Sequence, residues 1–154
     1  MERPDGKNRR MTVRDETNRI RKIDESLMEA CRRGLTDAVR FLLSRDVNVN
    51  AGAMAGPTPL QEACAHGHTV IARMLIEKGA VVDGHDNMGQ TPLHAACANG
   101  HVDTVRMLLE QEIDPVVIGE ILDTEPPLTG EVADMLHSYM EERAMAATAN
   151  APGR

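Results

Sequence analysis

A stretch of thirteen residues, Gly89 to His101, recurs upstream with its framework intact. Gly89-Gln90-Thr91-Pro92-Leu93-His94-Ala95-Ala96-Cys97-Ala98-Asn99-Gly100-His101 is preceded, 33 residues earlier, by Gly56-Pro57-Thr58-Pro59-Leu60-Gln61-Glu62-Ala63-Cys64-Ala65-His66-Gly67-His68. A third, weaker copy, Leu27-Met28-Glu29-Ala30-Cys31-Arg32-Arg33-Gly34, lies another 33 residues back. Fixed self-similarity at this period implies a stack of like units, each burying its apolar face against a neighbour rather than around one central core.

Each unit reads as two short antiparallel helices and a loop. In the third unit Thr91 caps the first helix and Pro92 fills its first turn, where the missing N–H costs nothing. Leu93, Ala96 and Cys97 then share a face, and Gly100 supplies the left-handed residue that ends the helix. A second helix is expected from about Val102 to Glu110, with Val105, Leu108 and Leu109 on its buried stripe. Their counterparts are Ile71, Leu75 and Ile76 in the second unit and Val39, Leu42 and Leu43 in the first. Gly79 turns the chain into a hairpin-like loop from Ala80 to Gly89.

The period, together with the Thr-Pro-Leu-His entry of the third unit, resembles the ankyrin repeat. The resemblance covers roughly residues 24 to 117 and implies an all-α solenoid of stacked antiparallel helix pairs with β-hairpin-like loops. It implies repeats at about 24–55, 56–88 and 89–117, then a degenerate cap at 118–142 in which Gly130 to Glu142 reads as an amphipathic helix. Residues 19–142 form the repeat domain in this reading. Residues 1–18 are expected to be a disordered basic arm, and residues 143–154 a disordered tail. The first unit lacks the Thr-Pro entry and starts instead at Asp24-Glu25-Ser26. A longer helix from Arg19 to Arg33 would make it an N-terminal cap, whose outer face should be polar.

Composition and charge narrow the function. There is no Trp, one Phe and one Tyr, which suits thin helix pairs that need no aromatic centre. Residues 1–22 carry net +4 and the remainder net −11, giving −7 overall. From Met107 to Glu142 there are ten acids and no Lys or Arg. A basic arm on an acidic body argues against nucleic-acid binding by the body. No run approaches the ~18 apolar residues of a membrane span, and the N-terminus is polar rather than signal-like. The expected setting is intracellular, cytoplasmic or nuclear.

Chemistry-bearing residues reduce to framework. Cys31, Cys64 and Cys97 occupy one equivalent position per unit; neighbouring helices pack about 8–10 Å apart, too far for a disulfide. A row along a solenoid is also the opposite of the convergence zinc requires. The cysteines read as buried small hydrophobes in a reducing compartment. His94 resembles the family's scaffold histidine, which hydrogen-bonds the adjoining loop; Gln61 can substitute in the second unit and Met28 cannot. His68 and His101 share a turn position, and the His66-x-His68 pair lacks a third metal ligand. There is no nucleophile paired with a base and no Gly-rich phosphate loop. The expectation is no enzyme activity, no metal and no cofactor.

The resemblance implies a non-catalytic protein–protein interaction module, an adaptor or scaffold that is monomeric by itself. A protein partner would bind a concave surface of first-helix faces and loop tips. Positions free of framework duty there are Arg32, Arg33, Ala65, His66, Ala98 and Asn99 on the helices. On the loops they are Met54, Ala55, Pro57, Asn87, Met88 and Gln90. The strip is cationic at one end, with Arg32 and Arg33 placed to attract an acidic part of the partner. Two rival readings are an enzyme inhibitor or regulatory subunit using the basic arm, and a structural subunit assembling through the Val132–Met140 stripe.

Overall fold

The structure, a computed structural model, describes residues 10–52, 55–124 and 127–150. Among them the chain forms eight helices and no strand: α1 (Val13–Arg33), α2 (Thr36–Leu43), α3 (Pro59–Ala65), α4 (Thr69–Glu77), α5 (Pro92–Ala98), α6 (Val102–Leu109), α7 (Pro115–Leu122) and α8 (Glu131–Ala149). Helices α1, α3 and α5 stack side by side as an inner row, and α2, α4 and α6 form the outer row. The hairpin-like loops hold turns instead of strand pairing; the second closes with Asp86 N–H donating to Gln90 O at 3.0 Å.

The repeated Thr-Pro is what starts the inner helices. Thr58 and Thr91 stand in extended backbone as N-caps, each accepting from the third helical N–H, with Pro59 and Pro92 in the first turn. The side chains of Gln61 and His94 return the bond to the cap's own N–H, at 2.7 and 3.2 Å. Such reciprocal capping contributes about 1 kcal/mol per helix. It matters here because seven-residue helices are too short to persist by propensity alone.

The core runs the length of the stack. Leu27, Leu60 and Leu93 repeat at one inner position and are almost completely buried, as are Val39, Ala72 and Val105 on the outer helices. Removing one such leucine side chain would cost about 2–5 kcal/mol. Cys31, Cys64 and Cys97 are free thiols inside this core, and burial pushes the thiols of Cys31 and Cys97 up to about 12.

Two histidines join unit to unit. His68 Nε2 meets Arg32 O at 3.2 Å, and His101 Nε2 meets Ala65 O at 2.9 Å. Each ring lies over the left-handed glycine of the unit before it, Gly34 or Gly67, where a β-carbon would come within 2.5–2.6 Å. Glycine is needed twice over at these turns, for φ near +70° and for room.

The ends differ from the sequence expectation. Helix α1 begins at Val13, not near Arg19, because Thr12 and Asp15 form a capping box that hydrogen-bonds the Asp15 carboxyl and lowers its pKa. Asp24 is therefore mid-helix, where its carboxylate accepts from Asn48 N at 3.2 Å. Helix α8 runs to Ala149, past the expected end at Glu142, since its alanine-rich end favours helix without needing a buried stripe. The loops spanning 44–58 and 78–91 have no equivalent before α7; only residues 110–114 separate α6 from α7. Asp114 caps α7 from this shortened connection, accepting from Val116 N at 2.9 Å. The expectation of a polar outer face on the first unit is not met: Val13 is 86% and Ile20 45% exposed on α1, Phe41 is 59% exposed on α2, and Leu35 at the α2 N-cap is 43% exposed.

Candidate functional site

The surface common to the inner helices and the two long loops is set by the repeat register. Positions 32, 65 and 98 fall at the ends of α1, α3 and α5 and line up across the stack, as do 33, 66 and 99. Arg32, Arg33, His66, Ala98 and Asn99 are exposed there, and Ala65 is half-buried. On the loops Ala55, Pro57, Asn87, Met88 and Gln90 are exposed. Met54 lies outside the described residues.

The tip of the second loop is held by one side chain. Asp86 Oδ1 accepts from Met88 N at 2.8 Å and from Gln90 N at 2.9 Å. Gly89 N–H returns to Asp86 O at 3.1 Å, closing a tight turn that pushes Met88 out to 79% exposure. A methionine in that position is adaptable contact area at the edge of the surface. At the base of the loop, Gln61 Nε2 donates to Gln90 O, binding loop to inner helix. A small cleft of about 110 Å³ opens in this corner, lined by Pro57, Glu62, Ala65, Asp86, Gln90 and Ala95 among others.

Charge is arranged differently from the simple cationic end expected. Arg32 Nε lies 3.2 Å from Glu62 of the next unit, and its Nη1 lies 3.2 Å from Glu29 one turn back. The Glu62 side chain is only 12% exposed, and its proximity raises the Arg32 pKa further. Arg32 is thus tied across the stack, while Arg33 forms no ion pair among the described residues. Glu62 was not singled out from the sequence. Its sequence separation from Arg32 is 30 residues, not the 33 of the repeat, so the pair forms only once the units are stacked. His66 Nδ1 bonds Glu62 O at 2.9 Å, and its ring stacks at 6.1 Å on that of His68. The middle of the surface is an exposed arginine and histidine held on a partly buried acid, Glu62; its far end, at Ala98 and Asn99, is uncharged.

His94 carries its scaffold role by capping. Thr91 N–H can only donate, so His94 Nδ1 is the acceptor at 3.2 Å and the ring proton resides on Nε2. Burial lowers the His94 pKa. Among the described residues the loop-binding bond implied for this position is seen in the second unit, where Gln61 makes it. Asn50 is similarly engaged, its side chain donating to Gly79 O at 3.3 Å and accepting from Val81 N at 2.9 Å. No group of three His, Cys, Asp or Glu among the described residues is placed to hold a metal ion. No described helix is long and apolar enough to cross a membrane.

Stacked helix pairs, capped by Thr-Pro and joined by histidine-to-glycine contacts, define a repeat solenoid. A family model, ankyrin repeats in three copies, matches residues 27–118, and the chain belongs to the ankyrin-repeat family. That family generally serves protein–protein interaction and is typically non-catalytic. No curated protein matches the chain.

Proposed function

We propose that this protein is a non-catalytic adaptor that binds a protein partner through the surface shared by α1, α3, α5 and the two long loops. The observation that carries the reading is how those side chains are held. Asp86 fixes the loop tip, Gln61 ties the loop base, and Arg32–Glu62 locks neighbouring units, so the exposed residues between them are presented on a rigid frame. A preformed surface loses little conformational entropy on binding.

The partner face it suits is mixed rather than simply acidic. Arg33, which forms no ion pair among the described residues, offers a cation at one end, Met88 and Ala65 offer apolar contact in the middle, and Asn99 offers a neutral hydrogen-bonding group beyond. Affinity would concentrate on a few central anchors, chiefly His66 and Met88. Three free, buried thiols accord with work in a reducing, intracellular compartment.

The test is a pull-down from cell extract with wild type and an Arg33→Glu, His66→Glu, Asn99→Arg triple variant. A second variant, Arg73→Glu with Lys78→Glu, changes exposed residues on α4 and just beyond it as a control. The reading expects a partner retained by wild type and by the control, and lost by the triple variant with its circular dichroism unchanged. Equal retention by all three would remove the proposed surface from consideration.

A further inference from the structure

Three threonines carry an arginine three residues before them: Thr12 after Arg9, Thr17 after Arg14 and Thr36 after Arg33. Only Thr12 has a second arginine in between, Arg10, and an apolar residue directly after, Val13. Thr17 follows Asp15 and Glu16 and precedes Asn18, and Thr36 precedes Asp37. Paired arginines ahead of a hydroxyl, with an apolar residue behind it, form a pattern that a basophilic kinase reads. Its acidic pockets take the guanidinium groups, and an apolar pocket takes the residue after the acceptor.

The structure separates the three in the same sense. An acceptor hydroxyl must enter the cleft of a second protein, which exposed, extended chain can do and a packed helix cannot. Thr12 stands in extended backbone, φ −79° and ψ 159°, and is exposed together with Arg10, Met11 and Val13. Thr17 lies inside α1, its hydroxyl donating to Val13 O at 2.8 Å. Thr36 is half-buried at the first position of α2, its N–H donating to Gly34 O at 3.0 Å in the turn that His68 covers. Every residue from Arg10 to Lys22 is exposed, and among the described residues α1 first hydrogen-bonds another element at Asp24. About three turns of α1 thus rest on local interactions and the capping box at Thr12, so fraying of the first turn disturbs nothing in the stack.

We propose that Thr12 is a phosphorylation site for a protein kinase that selects basic residues ahead of its acceptor. Thr12 Oγ1 bonds to the γ-phosphorus of ATP while the bond from that phosphorus to the β–γ bridging oxygen breaks. ADP leaves, and the hydroxyl proton passes through the kinase's base to water. The modification acts on the start of α1 and on the charge ahead of it. Thr12 Oγ1 now donates to Asp15 Oδ2 at 2.7 Å, and Thr12 N donates to the same oxygen at 3.0 Å. An ester oxygen has no hydrogen to donate, so the bond from the hydroxyl to Asp15 is lost. The phosphate also brings about two negative charges, which lowers the net charge of residues 1–22 from +4 to about +2. Thr12 lies apart from the loop-and-inner-helix surface, so the modification goes beyond the partner binding proposed above.

The experiment incubates the full 154-residue chain with magnesium, ATP and the catalytic subunit of cyclic-AMP-dependent protein kinase, a basophilic kinase. Peptide mapping then locates the phosphate. Wild type and Thr17→Ala are expected to take up a single phosphate, on Thr12, at equal rates. Thr12→Ala should take up none, and the paired change Arg9→Ala with Arg10→Ala should slow uptake about tenfold or more. Thr12→Asn keeps a side-chain cap and cannot be phosphorylated, so it repeats the negative control should the alanine variant lose helix. Phosphate placed first on Thr17 or Thr36, or a rate indifferent to the two arginines, would overturn the proposal. So would no uptake from a kinase that is active on a basic control peptide in the same buffer.

Discussion

A β-carbon placed on Gly67 would lie 2.6 Å from His101 Nδ1, the ring that bonds Ala65 O from the next unit. Gly100 has nearly the same backbone, φ 68° against 72°, yet nothing lies within 4 Å of its missing β-carbon. The pair separates two penalties that usually come together. Gly100→Ala should cost only the left-handed backbone strain, about 1–2 kcal/mol. Gly67→Ala adds displacement of the histidine and loss of its bond, for a total of about 3–4 kcal/mol. Denaturant melts of both variants would check this, and equal losses would mean that the histidine does not join the units.

Gln61 holds two parts of the molecule at once. Its Oε1 accepts from Thr58 N at 2.7 Å and its Nε2 donates to Gln90 O, and the side chain is buried. Gln61→Ala should destabilise by about 2–3 kcal/mol, because a buried cap N–H and a loop carbonyl both lose their partner. Gln61→His keeps a ring nitrogen for the cap, as at His94, and should recover about half of that. Urea titration measures both, and hydrogen exchange at Thr58 should rise in the alanine variant alone.

These two devices show which parts of the molecule could be read in advance. Thr91-Pro92 and Gly100 mark helix boundaries through local backbone chemistry, and the structure places α5 and α6 where those signals put them. The start of α1 escaped because Thr12 and Asp15 cap a segment with no apolar period, so the helix is legible only as a three-residue spacing. The end of α8 escaped for a related reason, alanine propensity without a buried face. At the candidate site, exposure at Arg33, His66 and Met88 follows from register. The Arg32–Glu62 pair does not, since its partners are 30 residues apart and meet only once the units are stacked. The short 110–114 connection was visible as missing framework, but not that α7 would follow so directly.

The three cysteines should be silent in the native protein. Cys31, Cys64 and Cys97 are at most 3% exposed, and burial raises all three thiol pKa values, to about 12 for Cys31 and Cys97. The thiolate is the reactive form, so at pH 8 a thiol reagent should react only as fast as the stack opens. All three should titrate promptly in denaturant. Fast native reaction at one site, located by peptide mapping, would reveal a unit that opens independently of the rest.

His94 gives the fold an acid-side weakness with a definite sign. Burial lowers its folded pKa below the ordinary value of 6.5; the nearby Glu120 and Asp86 carboxylates oppose that shift and His85 reinforces it. The unfolded chain therefore binds the proton more readily, and stability falls as pH drops from about 6.5 through the lower folded pKa. Above pH 6.5 the contribution of the neutral ring is fully present. Protonation would also place a hydrogen on Nδ1, the atom that accepts from Thr91 N, so the cap of α5 is lost in the same step. His94→Gln keeps an acceptor for that N–H and cannot titrate. Its unfolding free energy, measured by urea titration from pH 7.5 to 5, should therefore decline less than that of wild type. Parallel declines would show that the acid sensitivity arises elsewhere, in the carboxylates of the C-terminal units.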